Sequence, residues 1–193
     1  MNSYPPYRSD TVSFVGIDPG SEKLGASVIG IDVETQEISF IRAGTFAGSK
    51  MFSPKDHFAV VQGDRQARFA AHLENLYRFF LRERPVQICS ESPFYNPRMP
   101  AAFGSLTELI STIRKAALLY SPERPLYLID PPSVKKAVGA SGAADKDAVR
   151  KCVLALLGKY YIGQVPMEDL DEHSIDAIAV GYARYKLFFN APF

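Results

Sequence analysis

Tryptophan is absent from the 193 residues, cysteine occurs only twice, and positive charges outnumber negative ones by a single unit. Each shortage excludes something. Cys89 and Cys152 lie far apart, so they offer no disulfide framework and no metal-ligand pair by spacing. Both read as reduced core cysteines of a cytoplasmic protein. A net charge of +1 gives no global field for a polyanion, so any nucleic-acid face has to be a local patch. No apolar run is long enough to span a bilayer, and no membrane partner is expected. The first ten residues, MNSYPPYRSD, lack the apolar centre of a secretory signal and read as part of a flexible arm over residues 1–12. There is no internal repeat and no low-complexity tract. What is present is a 47% hydrophobic chain with 13 Phe and 10 Tyr, enough for one core, so residues 13–193 are expected to form a single domain.

The stretch Ser13–Leu24 (SFVGIDPGSEKL) organises that domain. An apolar run of Phe14, Val15 and Ile17 ends on Asp18, and Pro19-Gly20 breaks the strand. A lone buried charge costs several kcal/mol or more, so a carboxylate at the end of a central strand suggests a metal ion or a strong hydrogen-bond network. Asp-Pro-Gly is also ordinary turn chemistry. Strands are expected over residues 12–17, 25–30 and 37–44, joined by short polar links into an antiparallel meander. Residues 45–63 show no clear period and read as a surface loop or an inserted flap. From Asp64 the period becomes helical, with Phe69, Leu73, Leu76, Tyr77 and Phe80 on one face, until Pro85 stops it. Val86–Cys89 forms a buried strand that runs into Ser90-Glu91. A helix follows over about 101–119, with Leu106, Leu109, Ile110, Ile113 and Ala117 inward. Residues 126–129 make another strand, then come a short basic segment with Lys135 and Lys136 and a small-residue loop. Asp145 caps a helix over 146–157, which Gly158 ends. An acidic cluster opens the last amphipathic helix within 168–187. This order predicts an α/β domain, a mixed five-stranded sheet with helices on both faces.

Four groups stand at element edges. Asp18 and Glu91 each end an apolar strand, and His173 and Asp176, three apart, share a helix face. Hard divalent cations prefer oxygen ligands, and a two-ion site, with ions about 3.5–4 Å apart, can drive phosphodiester cleavage. A neutral imidazole can replace one carboxylate. Each residue also has a structural reading: Glu91 as a turn acceptor, His173 as a helix cap, and Asp176 as a carboxylate favoured by about 0.3–1 kcal/mol near a helix N-terminus.

Taken together, the motifs resemble a known family. FVGIDPGSEKLGASVI, ICSESPFYNP, PSVKKAVGASGAADKDAVRKCVLALL and EHSIDAIAVGYA resemble, in order, the four motifs of the RuvC Holliday-junction resolvases of the ribonuclease H-like superfamily. The likeness runs from Phe14 to Ala183. It implies a ribonuclease H-like fold and a crossover junction endodeoxyribonuclease, acting on four-way and other branched DNA by paired nicks. It implies Asp18, Glu91, His173 and Asp176 as ligands of two Mg²⁺ ions, with Mn²⁺ as a substitute, and Lys146 near the scissile phosphate. Lys135, with Lys136 beside it, matches a backbone-contacting lysine, and Phe94 an aromatic that stacks on a base near the junction centre. It also implies a two-fold homodimer in the cytoplasm of a bacterial or phage-infected cell, serving recombination, repair or debranching of phage DNA. The 101–119 helix, through Leu109, Ile110, Ile113 and Leu118, is either a dimer surface or ordinary core. The chain departs from the family in four respects. His173 stands where many members carry Asp. Asp169 and Asp171 lie close by as alternative ligands. Residues 45–63 outrun the family's simple link, and the chain is nearly neutral.

Two rival readings remain. Asp-x-Gly after a first strand also opens ATPases of the sugar-kinase, Hsp70 and actin type, but those need a second lobe for which this chain is too short. The other rival is a catalytically silent module that binds branched DNA.

Overall fold

A computed structural model describes residues 10–95 and 100–189, so the arm expected over residues 1–12 falls almost wholly outside the described residues. The meander consists of β1 (Thr11–Asp18), β2 (Lys23–Asp32) and β3 (Ile38–Ala47), paired antiparallel. Each strand is longer than its apolar run. Polar residues at both ends still pair along the ladder, where backbone hydrogen bonds decide and side-chain polarity does not. Asp32 folds the second turn by accepting from the amides of Glu34 and Thr35 at 3.0 and 2.8 Å. The later strands, β4 (Gln87–Glu91) and β5 (Leu126–Ile129), run parallel to β1, in the order β3-β2-β1-β4-β5. β1, β4 and β5 therefore end on one edge of the sheet. Because β2 is antiparallel, it starts on that edge, and β3 ends there.

Side chains alternate across the strands and divide the core into two layers. Val15, Ile17, Val28 and Ile88 face α2 (Asp64–Glu83) and α3 (Pro100–Tyr120). Phe14, Ile29, Ile41 and Cys89 face α4 (Pro131–Ala137), α5 (Lys146–Leu157) and α6 (Glu172–Phe188). Both layers are needed for stability, since burying one Ile or Phe fully contributes about 1.5–3 kcal/mol. The expected mixed sheet with helices on both faces is the architecture found.

Four details differ from the sequence reading. Residues 45–63 are not one loop: they hold the end of β3, a 3₁₀ turn at Gly48–Lys50 and a six-residue helix, α1 (His57–Gln62). A helix that short has too few turns to show a period. Phe79, not Tyr77, joins Phe69, Leu76 and Phe80 in the core from α2. Leu109, Ile110 and Ile113 are buried within the chain, which removes them from any dimer surface. Leu118 stays outside at 59% exposure. The basic segment after β5 is helical, since the Asp130 carboxylate caps it by accepting from the Ser133 amide at 2.9 Å.

Candidate active site

The parallel register pairs Ile17 with Ser90, so Asp18 and Glu91 come next on adjacent strands, which lie roughly 4.8 Å apart. Period-two alternation turns both carboxylates toward the α6 layer. α6 is brought unusually close to the sheet by glycines. A Cβ on Gly16 would stand 2.3 Å from the Gly181 nitrogen, and one on Gly25 would stand 2.0 Å from the His173 carbonyl oxygen. Ser27 fastens the contact by donating its hydroxyl to the Ala177 carbonyl at 2.7 Å. Asp171 starts the helix, its Oδ1 accepting from the Ser174 amide at 2.9 Å and the Thr45 hydroxyl at 2.7 Å. Arg150 of α5 holds the approach to α6 by donating to the carbonyls of Glu168 and Leu170. These contacts set the first turn of α6, with His173 and Asp176, over the ends of β1 and β4.

Within the site His173 Nδ1 lies 2.8 Å from Asp18 Oδ2. Glu91 and Asp176 share a cleft of about 230 Å³ with Lys135, Lys146, Pro131, Val134, Val149 and Ala179. Burial, then the nearby Asp18 and Asp176 charges, push the Glu91 carboxyl up to about 7. Burial and Asp18 push Asp176 up to about 6. The hydrogen bond to Asp18 raises His173 from its ordinary value. Three acids crowded without enough positive charge are the donor chemistry that a hard divalent cation satisfies, since it replaces mutual repulsion with oxygen coordination. Among the described residues, no three His, Cys, Asp or Glu side chains are arranged to enclose an ion as they stand. Coordination through Asp18 Oδ2 or His173 Nδ1 would first require their mutual contact to open. The donors fit such an ion in type and in charge.

The other expected residues divide. Lys146 opens α5 and reaches Glu172 at 2.8 Å; burial works against its charge, but the pairing with Glu172 prevails and raises it. Lys135 lines the cleft while donating to the Ala144 carbonyl at 2.7 Å, so it also braces the small-residue loop. Lys136 is exposed and is not among the residues lining this cleft. Phe94 is 68% exposed on the loop leaving β4. Asp171 is committed to capping, and Asp169 sits in a 3₁₀ turn beside a separate cleft with Thr45 and Tyr161. The sequence reading passed over Glu172, which bridges Lys146 and, at 3.6 Å, His173 Nε2. Its place beside His173 was the available signal; its pairing across two helices left no pattern in the chain.

No family model matches the chain. Curated relatives do. A crossover junction endodeoxyribonuclease RuvC of Neisseria meningitidis serogroup A is 31% identical over 152 residues, covering 78% of this chain and 75% of the relative. The RuvC of Afipia carboxidovorans is 27% identical over 153 residues, covering 78% and 79%. Among solved structures, Thermus thermophilus RuvC in complex with a Holliday junction substrate superposes with a TM-score of 0.66 at 19% identity, over 93% of this chain and 97% of that one. The yeast mitochondrial Holliday junction resolvase Ydc2 gives 0.60 at 15% identity, over 93% and 81%. The structural likenesses show the ribonuclease H-like fold, and the Neisseria relative shows the family: the chain belongs to the RuvC crossover junction endodeoxyribonucleases.

Proposed function

We propose that the chain resolves four-way DNA junctions by paired nicks, as a divalent-cation-dependent homodimer in the cytoplasm, with Mg²⁺ as the ion and Mn²⁺ as a substitute. The observation that carries this reading is the crowding of Asp18, Glu91 and Asp176 at one sheet edge beside Lys146, in a chain of this family. Asp18, Glu91, His173 and Asp176 would hold two ions. Bound divalent cations would supply the charge that stabilises a phosphate during hydrolysis and eases deprotonation of the attacking water.

The remaining work falls to the chain's own groups. Lys146 keeps its proton and would donate to a phosphate oxygen as negative charge develops there, exchanging Glu172 for the substrate. Lys135 presents its charge to the cleft, and exposed Lys136 is free to follow the DNA backbone. Phe94 offers a face for base stacking, worth about 1–3 kcal/mol per base. Two-fold pairing would set two such sites on two strands of a junction, and the outward Leu118 and Leu119 at the end of α3 are candidates for the contact. Recombination, repair or debranching of phage DNA would be the process it serves.

The test is cleavage of a synthetic four-way junction beside a three-way junction and a linear duplex, with Mg²⁺, with EDTA and with Asp18→Asn. Symmetric paired nicks in the four-way junction, lost with EDTA and in the variant, are expected. Binding without a cut, across metals and pH, would overturn the catalytic claim and leave a binding module. Equal cutting of every branched form would replace junction resolution with general debranching.

A further inference from the structure

The residues between β3 and α2 do more than connect. Because β3 ends on the same edge as Asp18 and Glu91, the segment 48–63 leaves the sheet at the catalytic edge. Its inner side is held firmly. The Gly48 amide donates to the Glu22 carbonyl at 2.7 Å, in the turn that follows Asp18, and Arg68 of α2 pairs with the Glu22 carboxylate at 2.9 Å. Asn75 of α2 reaches Met51 Sδ at 3.5 Å, and Ala59 is buried. The outer side is apolar. Phe58, Val60 and Val61 are exposed at 51, 69 and 59%, three large side chains within one six-residue helix. Single exposed apolar residues are ordinary, whereas a cluster on one short element marks a contact surface. Two lysines of the segment flank it. Lys50 and Lys55 are exposed, and the segment's single acid, Asp56, is already occupied in accepting from the Ser53 amide at 3.0 Å.

We propose that α1 is a second DNA-contacting element, specific to the branch: Phe58, Val60 and Val61 pack against bases left unstacked at the junction, while Lys50 and Lys55 neutralise backbone phosphates. The occupant is branched DNA because the patch is anchored to the turn behind Asp18, on the edge that a scissile strand must approach, and because its flanking charge complements phosphate. The proposal rests on the reading that the substrate is a DNA junction. It also accounts for a near-neutral chain that handles a polyanion, since the affinity is gathered at one edge.

The lack of native tryptophan makes a direct probe available. In the full chain, Phe58→Trp introduces the sole indole. With EDTA present, its emission should be quenched on titration with a four-way junction and left unchanged by linear duplex. Phe58→Ser combined with Val61→Ser should weaken junction binding about tenfold, as loss of one stacked base does, with duplex binding and the cleavage rate at saturating junction unchanged. Lys50→Ala with Lys55→Ala should flatten the salt dependence of log K by about two units. All four positions are exposed, so the variants should melt like the parent protein. Unaltered emission at saturating junction, equal weakening on duplex and junction, or a change of oligomeric state in place of lost DNA affinity would each overturn the proposal. Failure of the unmodified protein to bind any junction would instead bring down the functional reading itself.

Discussion

Two glutamates, one ending α2 and one ending the strand that follows it, show how this fold treats buried charge. Glu83 ends α2 at 3% exposure and is met by Arg42 and Arg82, each at 2.7 Å. Glu91 ends β4 and, among the described residues, has no cation within ion-pair distance; burial, then the Asp18 and Asp176 charges, outweigh Lys135 and Lys146 across the cleft and push its carboxyl up to about 7. The first charge is neutralised by the chain itself. The second is left uncompensated at the edge where the family motifs converge. A buried acid supplied with arginines is architecture, and a buried acid surrounded by other acids awaits a ligand.

The largest expected effect lies on the uncompensated side. Asp18→Asn keeps the size of the side chain and removes its charge, and should lower junction cleavage by about 10³-fold or more, at least what loss of one transition-state-stabilising group costs. Melting temperature should change little. If cleavage survives, Asp18 belongs with Glu83 as a structural acid. The mirror experiment is Glu83→Gln, which removes the carboxylate that Arg42 and Arg82 both meet and should destabilise the protein by about 1.5–3 kcal/mol, the cost of losing charge-assisted hydrogen bonds, read by urea unfolding. Cleavage per folded molecule should be unchanged.

Glu91→Gln should do the opposite to stability. The folded Glu91 carboxyl binds its proton at about 7, against 4.5 when unperturbed. Between those values the folded chain holds a proton that the unfolded chain releases. Its contribution to stability is therefore complete below pH 4.5 and lost as pH rises through 7, an amount of about 3 kcal/mol for this one group in the absence of metal. The Gln variant, measured metal-free at pH 8, should melt above the parent protein, and the gain should vanish at pH 4.5. Added Mg²⁺ should raise the parent's melting temperature more at pH 8 than at pH 5, and the variant's less. A parent stability flat between pH 5 and 8 would mean that Glu91 is compensated after all.

The path from sequence to structure was clear where the chemistry is local. Asp18 could be placed because a strand, a carboxylate and a Pro-Gly break follow one another, and Asp145 because a cap and its helix are adjacent. Period-two alternation then sets the face of Glu91 once its strand is recognised. What could not be read depends on contacts remote in the chain. Nothing in Gly16 or Gly25 announces that α6 presses on both. The 45–63 segment hid a helix too short to show a period. Glu172 gave no sign of its partner, because Lys146 lies on another helix and only packing joins them. Leu109, Ile110 and Ile113 fit a helical stripe equally well as core or as interface, and only the position of α2 and the sheet decides for core.

The smallest expected effect concerns Asp171, one of the two alternative acids. Asp171 was a possible metal ligand by proximity, yet its Oδ1 is occupied by the Thr45 hydroxyl and the Ser174 amide. Burial tends to raise its carboxyl, but those hydrogen bonds prevail and hold it below the ordinary value, opposite to Glu91 and Asp176. It is a compensated acid, like Glu83, on the exposed start of α6. Asp171→Ala should therefore cost about 1 kcal/mol, the usual loss of an N-cap, and Asp171→Ser should recover most of it by restoring an acceptor. Because the cap sets the first turn of α6, the Ala variant should also cleave more slowly, within about tenfold of the parent, with its Mg²⁺ dependence unmoved. A steep shift in the Mg²⁺ requirement that Ser does not rescue would place Asp171 among the uncompensated acids and extend the metal site beyond His173.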